Sequence, residues 1–96
     1  MVERTLLVKA PLGLHARAAA KLVRVARGFH SEVLLRRQDG TASADAKSIL
    51  SVLMLAAARG TQLQASAEGI DEDAAMNAVA KLFAEGFGEI ELGTSR

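Results

Sequence analysis

From Thr61 to Glu68 the chain alternates without a break: Leu63, Ala65 and Ala67 on one side, Gln62, Gln64, Ser66 and Glu68 on the other. A period of two with a single apolar side is a half-buried strand. Val2, Leu6, Val8 and Ala10 set against Glu3, Thr5 and Lys9 make another, ended by Pro11 and Gly13. Ser31 to Arg37 reads as a strand, Gln38-Asp39-Gly40 as its turn, and Thr41 to Ala44 as the returning strand. A sheet whose strands are apolar on one side only must be covered on that face and no other.

The cover has to come from the intervening segments, where the period changes. Between Ala16 and Arg27, Ala19, Leu22, Val23 and Ala26 share one helical face, while Arg17, Lys21, Arg24 and Arg27 recur every three or four residues; Gly28 closes the helix. Asp45 is expected to cap a short second helix that begins near Lys47 and runs to about Leu55. Asp71-Glu72-Asp73 start the last helix with acids at its positive end, and Val79, Leu82 and Phe83 give it a buried face before Gly86 to Gly88 break it. Glu89-Ile90-Glu91-Leu92 alternates again and is expected to pair briefly. The order β-α-β-β-α-β-α predicts an α/β chain of the α+β type: a two-layer open-faced sandwich of four strands covered on one face by three helices.

Ninety-six residues suffice for one domain, taken as 1–96, with a modest core. The absence of cysteine excludes disulfides and thiolate metal sites and suits a reducing cytoplasm. The two histidines, His15 and His30, are isolated from other ligands, so neither a metal nor a cofactor is expected, and His30 reads as a loop or strand-entry residue. The N-terminus lacks the charged-then-apolar pattern of a signal, and the most apolar run, Ile49 to Ala58, is too short for a bilayer. A cytoplasmic protein without membrane insertion is the expectation.

A net charge of +1 argues against generic nucleic-acid binding, as do three Phe with no Tyr or Trp for stacking bases. The average conceals an asymmetry. No acid occurs between Arg4 and Ser31, a stretch holding six Lys and Arg, whereas Asp71, Glu72, Asp73, Glu85, Glu89 and Glu91 crowd the C-terminal part. An acidic partner would be steered to the basic part. The second helix is apolar nearly all round, through Ile49, Leu50, Val52, Leu53, Met54 and Leu55. In so small a domain, only some of these can be core, and the remainder are offered to a partner.

Gly13-Leu14-His15-Ala16-Arg17 stands between the first strand and the first helix. A helix N-terminus carries about half a unit of positive charge and N–H groups without intrahelical partners, which together favour phosphate. His15 there is either a plain polar residue at a helix start or a nucleophile that attacks phosphorus through a neutral ring nitrogen, with Arg17 beside it.

The Gly-Leu-His-Ala-Arg run followed by an Ala-rich helix resembles the active-site signature of the HPr family, phosphocarriers of the phosphotransferase system. Lys47-Ser48-Ile49 opening a second helix, Arg59-Gly60 before a strand, Glu68-Gly69 before the last helix and Gly86-Phe87-Gly88-Glu89 fit in order and spacing. The resemblance implies an antiparallel sheet in the order 1-4-2-3. It implies a monomeric phosphoryl-transfer carrier rather than a stand-alone enzyme, taking the group on His15 from phosphorylated enzyme I and passing it to an enzyme IIA for sugar uptake or its regulation. Arg17 and the backbone N–H groups of Ala16, Arg17 and Ala18 would hold the phosphate moderately and reversibly, with Leu14 anchoring the loop and Gly13 permitting its tight backbone. Ser48 matches the serine that a dedicated HPr kinase/phosphorylase modifies, besides being a capping hydroxyl. Docking would combine Ala16, Ala20, Arg24 and Arg27 with Ile49, Leu50 and Leu53. Two positions depart from the usual pattern: Ala18 stands where many relatives have proline, and Leu12 where Asn or Ser is common. The alternatives are a nitrogen-type regulatory phosphorelay carrier without sugar transport, and a basic-helix binding module.

Overall fold

The structure is a computed structural model and describes residues 1–89. Its elements are β1 (Val2–Leu7), α1 (Ala16–Arg27), β2 (Glu32–Arg37), β3 (Ser43–Asp45), α2 (Ile49–Met54), β4 (Gln62–Glu68), α3 (Glu72–Ala84) and a single 3-10 turn, Gly86–Gly88. The strands form one antiparallel sheet in the order β1-β4-β2-β3, as the family resemblance implies. Register follows the alternation: Leu6 faces Leu63, and Val33 and Leu35 face Ala67 and Ala65. All six are buried, whereas the partners on the other face, Glu3 with Ser66 and Thr5 with Gln64, lie on the uncovered side. The fold class predicted from the periods is the one observed.

Small side chains set the packing of the helical layer. Ala18, Ala19 and Ala26 of α1 are wholly buried beside Leu22 and Val23, allowing α1 to lie close to α2 and α3. Helix α3 covers β1 and β4 with Ala75, Met76, Val79 and Phe83, while Leu82 is only half-buried. No helix among the described residues is long and apolar enough to cross a membrane.

Three boundaries differ from expectation, two of them through a side chain that caps the backbone locally. β3 starts at Ser43 and not at Thr41, because the Asp39 carboxylate accepts both the N–H and the hydroxyl of Thr41 and keeps that residue in the turn. Asp45 does not cap α2. It belongs to β3, its carboxylate accepts the Lys47 N–H at 2.9 Å, and the helix starts two residues later with Ser48 as N-cap, whose hydroxyl accepts from Ser51 N at 3.2 Å. β1 ends at Leu7, although Val8 stays tied to the loop before β4 through Val8 N to Thr61 O and Gly60 N to Val8 O. Glu89 is extended but lies in no strand, and residues 90–92 of the expected tail pairing fall outside the described residues.

Asp71 sits at the N-cap of α3 but its side chain reaches across the fold. It accepts the Ser31 hydroxyl, the Ser31 N–H and the His30 N–H, closing the start of β2 onto the start of α3. The Ser31 hydroxyl and then the His30 N–H hold the carboxyl at about 2, below the ordinary 3.8. A depressed pKa means that the folded chain prefers the ionised form, so this stabilisation is complete above about 3.8 and fades as pH falls through about 2. Asp71→Asn should therefore be less stable than the natural chain at neutral pH, with the gap narrowing on acidification. Denaturation midpoints of both proteins across the acid range check this; a constant gap would assign the effect to something other than the ionised carboxylate.

Candidate functional site

Between β1 and α1 the chain turns through Pro11, Leu12, Gly13 and Leu14. Gly13 N donates to Ala10 O, closing the turn, and Leu14 N to Ala57 O, clamping the loop to the segment after α2, both at 2.9 Å. Gly13 has φ +70, and a Cβ there would lie 2.6 Å from Ala57 O. Only glycine satisfies both the conformation and the contact. Leu14 is buried as the expected anchor, which fixes where the next residue emerges.

That residue is His15, the N-cap of α1, with extended backbone. Its carbonyl accepts the Ala19 N–H at 2.8 Å, but its ring makes no capping bond. The ring instead meets the Glu89 carboxylate, Nε2 to Oε2 at 2.5 Å. His15 and Glu89, with Pro11, Leu12, Ala16, Arg17, Lys21 and Gly88, line an open cleft of about 670 Å³. Arg17 is exposed there and makes no hydrogen bond or ion pair among the described residues, so its guanidinium is available to an anion. Lys21 is committed: its Nζ donates to Phe87 O at 2.7 Å. The stripe on α1 is thus not a uniformly solvated face.

The structure brings His15, Ala16 and Arg17 together at the cleft. Ala18 is wholly buried behind them, and Leu12, the other departure from the family pattern, is 75% exposed at the rim. Of the expected docking residues, Ala16, Arg24 and Arg27 are exposed and Ala20 is half-buried. Ile49, Leu50 and Leu53 are exposed as well, while Val52 and Leu55 are core. Met54, at 73% exposure, extends the apolar surface beyond the three residues of α2 expected to dock. Arg27 Nε donates to Lys47 O at 3.1 Å, tying the end of α1 to the residue before the half-buried Ser48.

Glu89 is the site residue that sequence reasoning missed. It stood in the sequence as the end of the Gly86-Phe87-Gly88-Glu89 landmark and the start of an alternating tail, and neither reading gave it a place at the site. In the structure Gly86, Phe87 and Gly88 all have positive φ, 62, 60 and 73. Three left-handed residues in succession turn the chain back toward His15. Phe87 pays this strain by burial: it is wholly enclosed, its ring edge-on to Phe83 at 4.9 Å.

Residues 2–85 match the family described as the PTS HPr component phosphorylation site. The phosphocarrier protein NPr of Escherichia coli (strain K12) is 44% identical over 88 residues, covering 92% of this chain and 97% of that one. Phosphocarrier protein HPr of Cupriavidus necator is 44% identical over 91 residues, covering 95% and 100%. Among solved structures, HPr-C-His from Thermoanaerobacter tengcongensis superposes with a TM-score of 0.88 at 36% identity, covering 95% of this chain and all of that one.

Proposed function

Because this chain belongs to the HPr family of phosphotransferase-system phosphocarriers, we propose that it accepts a phosphoryl group on His15 from phosphorylated enzyme I and passes it to an enzyme IIA. The supporting observation is the 2.5 Å contact between His15 Nε2 and Glu89 Oε2 in a cleft that also holds Arg17. A proton kept between Nε2 and the carboxylate leaves the lone pair on Nδ1 as the nucleophile. Nδ1 attacks phosphorus and an N–P bond forms. The bond from phosphorus to the donor breaks, and its electron pair leaves with the donor. The ring retains its Nε2 proton and becomes positive, a charge that Glu89 offsets. Arg17 and the amides at the start of α1 face the phosphoryl oxygens with moderate strength, so that the group is released as readily as it is taken.

Arg17→Ala should leave the melting temperature nearly unchanged, since a lone exposed arginine adds little stability. It should slow transfer at least about tenfold, ~1.4 kcal/mol of barrier. An equal rate in the variant would reduce Arg17 to a solvated side chain.

The branch served is a finer question. Likeness to NPr supports the nitrogen-type regulatory relay, and equal identity to an HPr supports sugar uptake. Initial rates with a sugar-type and a nitrogen-type enzyme I from one host decide between them: a preference of about tenfold or more, ~1.4 kcal/mol in transition-state binding, assigns the branch. Transfer from neither would refute the carrier reading.

Ser48 is read as a regulatory acceptor for a dedicated kinase. Phosphate there would put about two negative charges beside exposed Ile49 and Leu50. Ser48→Asp should fold normally, because an acid caps a helix N-terminus as well as the hydroxyl does, and should bind enzyme I about tenfold more weakly, ~1.4 kcal/mol. Calorimetric affinity together with melting temperature checks both halves. Full affinity in a folded variant would remove Ser48 from the interface.

A further inference from the structure

The contact that readies His15 depends on a turn that is intrinsically unfavourable. Phe87 is a non-glycine residue at φ +60, flanked by two left-handed glycines. Such a conformation persists only where the surroundings over-determine it. Two anchors are present. The Phe87 ring is fixed against Phe83, and the Phe87 carbonyl accepts from Lys21 Nζ at 2.7 Å. Because Phe87 is wholly buried, that carbonyl would lose its partner without the lysine, and an unsatisfied buried acceptor is destabilising. The next amides, Gly88 N to Glu85 O and Glu89 N to Gly86 O, complete the turn and deliver Glu89 to His15.

Lys21 and His15 stand on the same helix, one at its N-cap and the other six residues on. α1 therefore carries the ring at one point and holds the turn that supplies its carboxylate partner at another. We propose that Lys21 is a positioning residue, latching the Gly86–Gly88 turn so that Glu89 is held on His15 Nε2. It acts through Glu89 and does not touch the phosphoryl group. This rests on His15 as the phosphoryl acceptor, but the latch itself is a property of the unphosphorylated protein.

Two readouts separate latch from reaction. In the natural protein the His15 Nε2 proton should exchange slowly enough to give a far-downfield imidazole N–H signal by NMR. Glu89→Ala should abolish that signal, Lys21→Met should abolish it too, and Lys21→Arg should restore it. A merely structural lysine would not move this signal while the remainder of the spectrum stayed native. Transfer from enzyme I should slow about tenfold in Lys21→Met, ~1.4 kcal/mol. In the Glu89→Ala background the same substitution should change the rate by less than about twofold, because the two act in series. A persisting N–H signal in Lys21→Met overturns the latch, as does an undiminished tenfold effect in the Glu89→Ala background, which would mean that Lys21 meets the phosphoryl group directly. Phosphoryl found elsewhere than His15 would refute the acceptor assignment, and the N–H signal would still decide the latch.

Discussion

Replacing His15 by Ala should abolish phosphorylation by enzyme I and leave a folded protein. The side chain is 26% exposed and makes no capping bond, so its loss removes neither core packing nor a helix cap. What it strands is the Glu89 carboxylate, only 10% exposed, which the vacated space opens to water. A loss of stability within about 1 kcal/mol is expected. His30→Ala is the matched control: His30 is exposed, and among the described residues it is its backbone N–H, not its ring, that is used, by Asp71. It should be phosphorylated at the natural rate. Radiolabel transfer from phosphoenolpyruvate to both variants, with their melting curves, checks this, and labelling of His15→Ala but not His30→Ala would move the site.

Phe87→Ala should produce the largest loss of stability. The ring is wholly buried and edge-on to Phe83, and truncations of this kind cost about 3–5 kcal/mol. Alanine is no easier than phenylalanine at φ +60, so the loss reports packing rather than relief of strain. The variant should also release Glu89 from His15 and slow transfer, linking the last part of the core to the chemistry at the first helix. Urea unfolding measures the first effect. A change below about 1 kcal/mol would mean that the turn after α3 is not integral to the core.

Much of this was legible in order. The limits of α1 and the one-sided strands followed from side-chain period, because burial of one face is a property each segment carries in its own residues. The surplus of apolar residues on α2 likewise announced a surface, now seen in Leu50 and Met54. Illegible were the interactions whose partners lie far apart in the chain. Asp71 looked like one of three acids at the positive end of a helix, and its side chain binds Ser31, 40 residues away. Lys21 looked like one of four bases in a stripe along α1 and binds Phe87 O, 66 residues away. Glu89 meets His15 across 74 residues, by way of three left-handed residues of which the central one, Phe87, is disfavoured locally. The candidate acceptor could be read from its own helix, but its carboxylate partner depends on tertiary structure.

The most direct measurement is peptide mapping at alkaline pH after incubation with enzyme I and phosphoenolpyruvate, with intact mass before and after acid. One phosphoryl group should be added, carried by the peptide containing His15, stable in base and lost in acid as a phosphoramidate is. An acid-stable group, or one mapped to Ser48 or His30, would contradict the assignment of His15 as the acceptor.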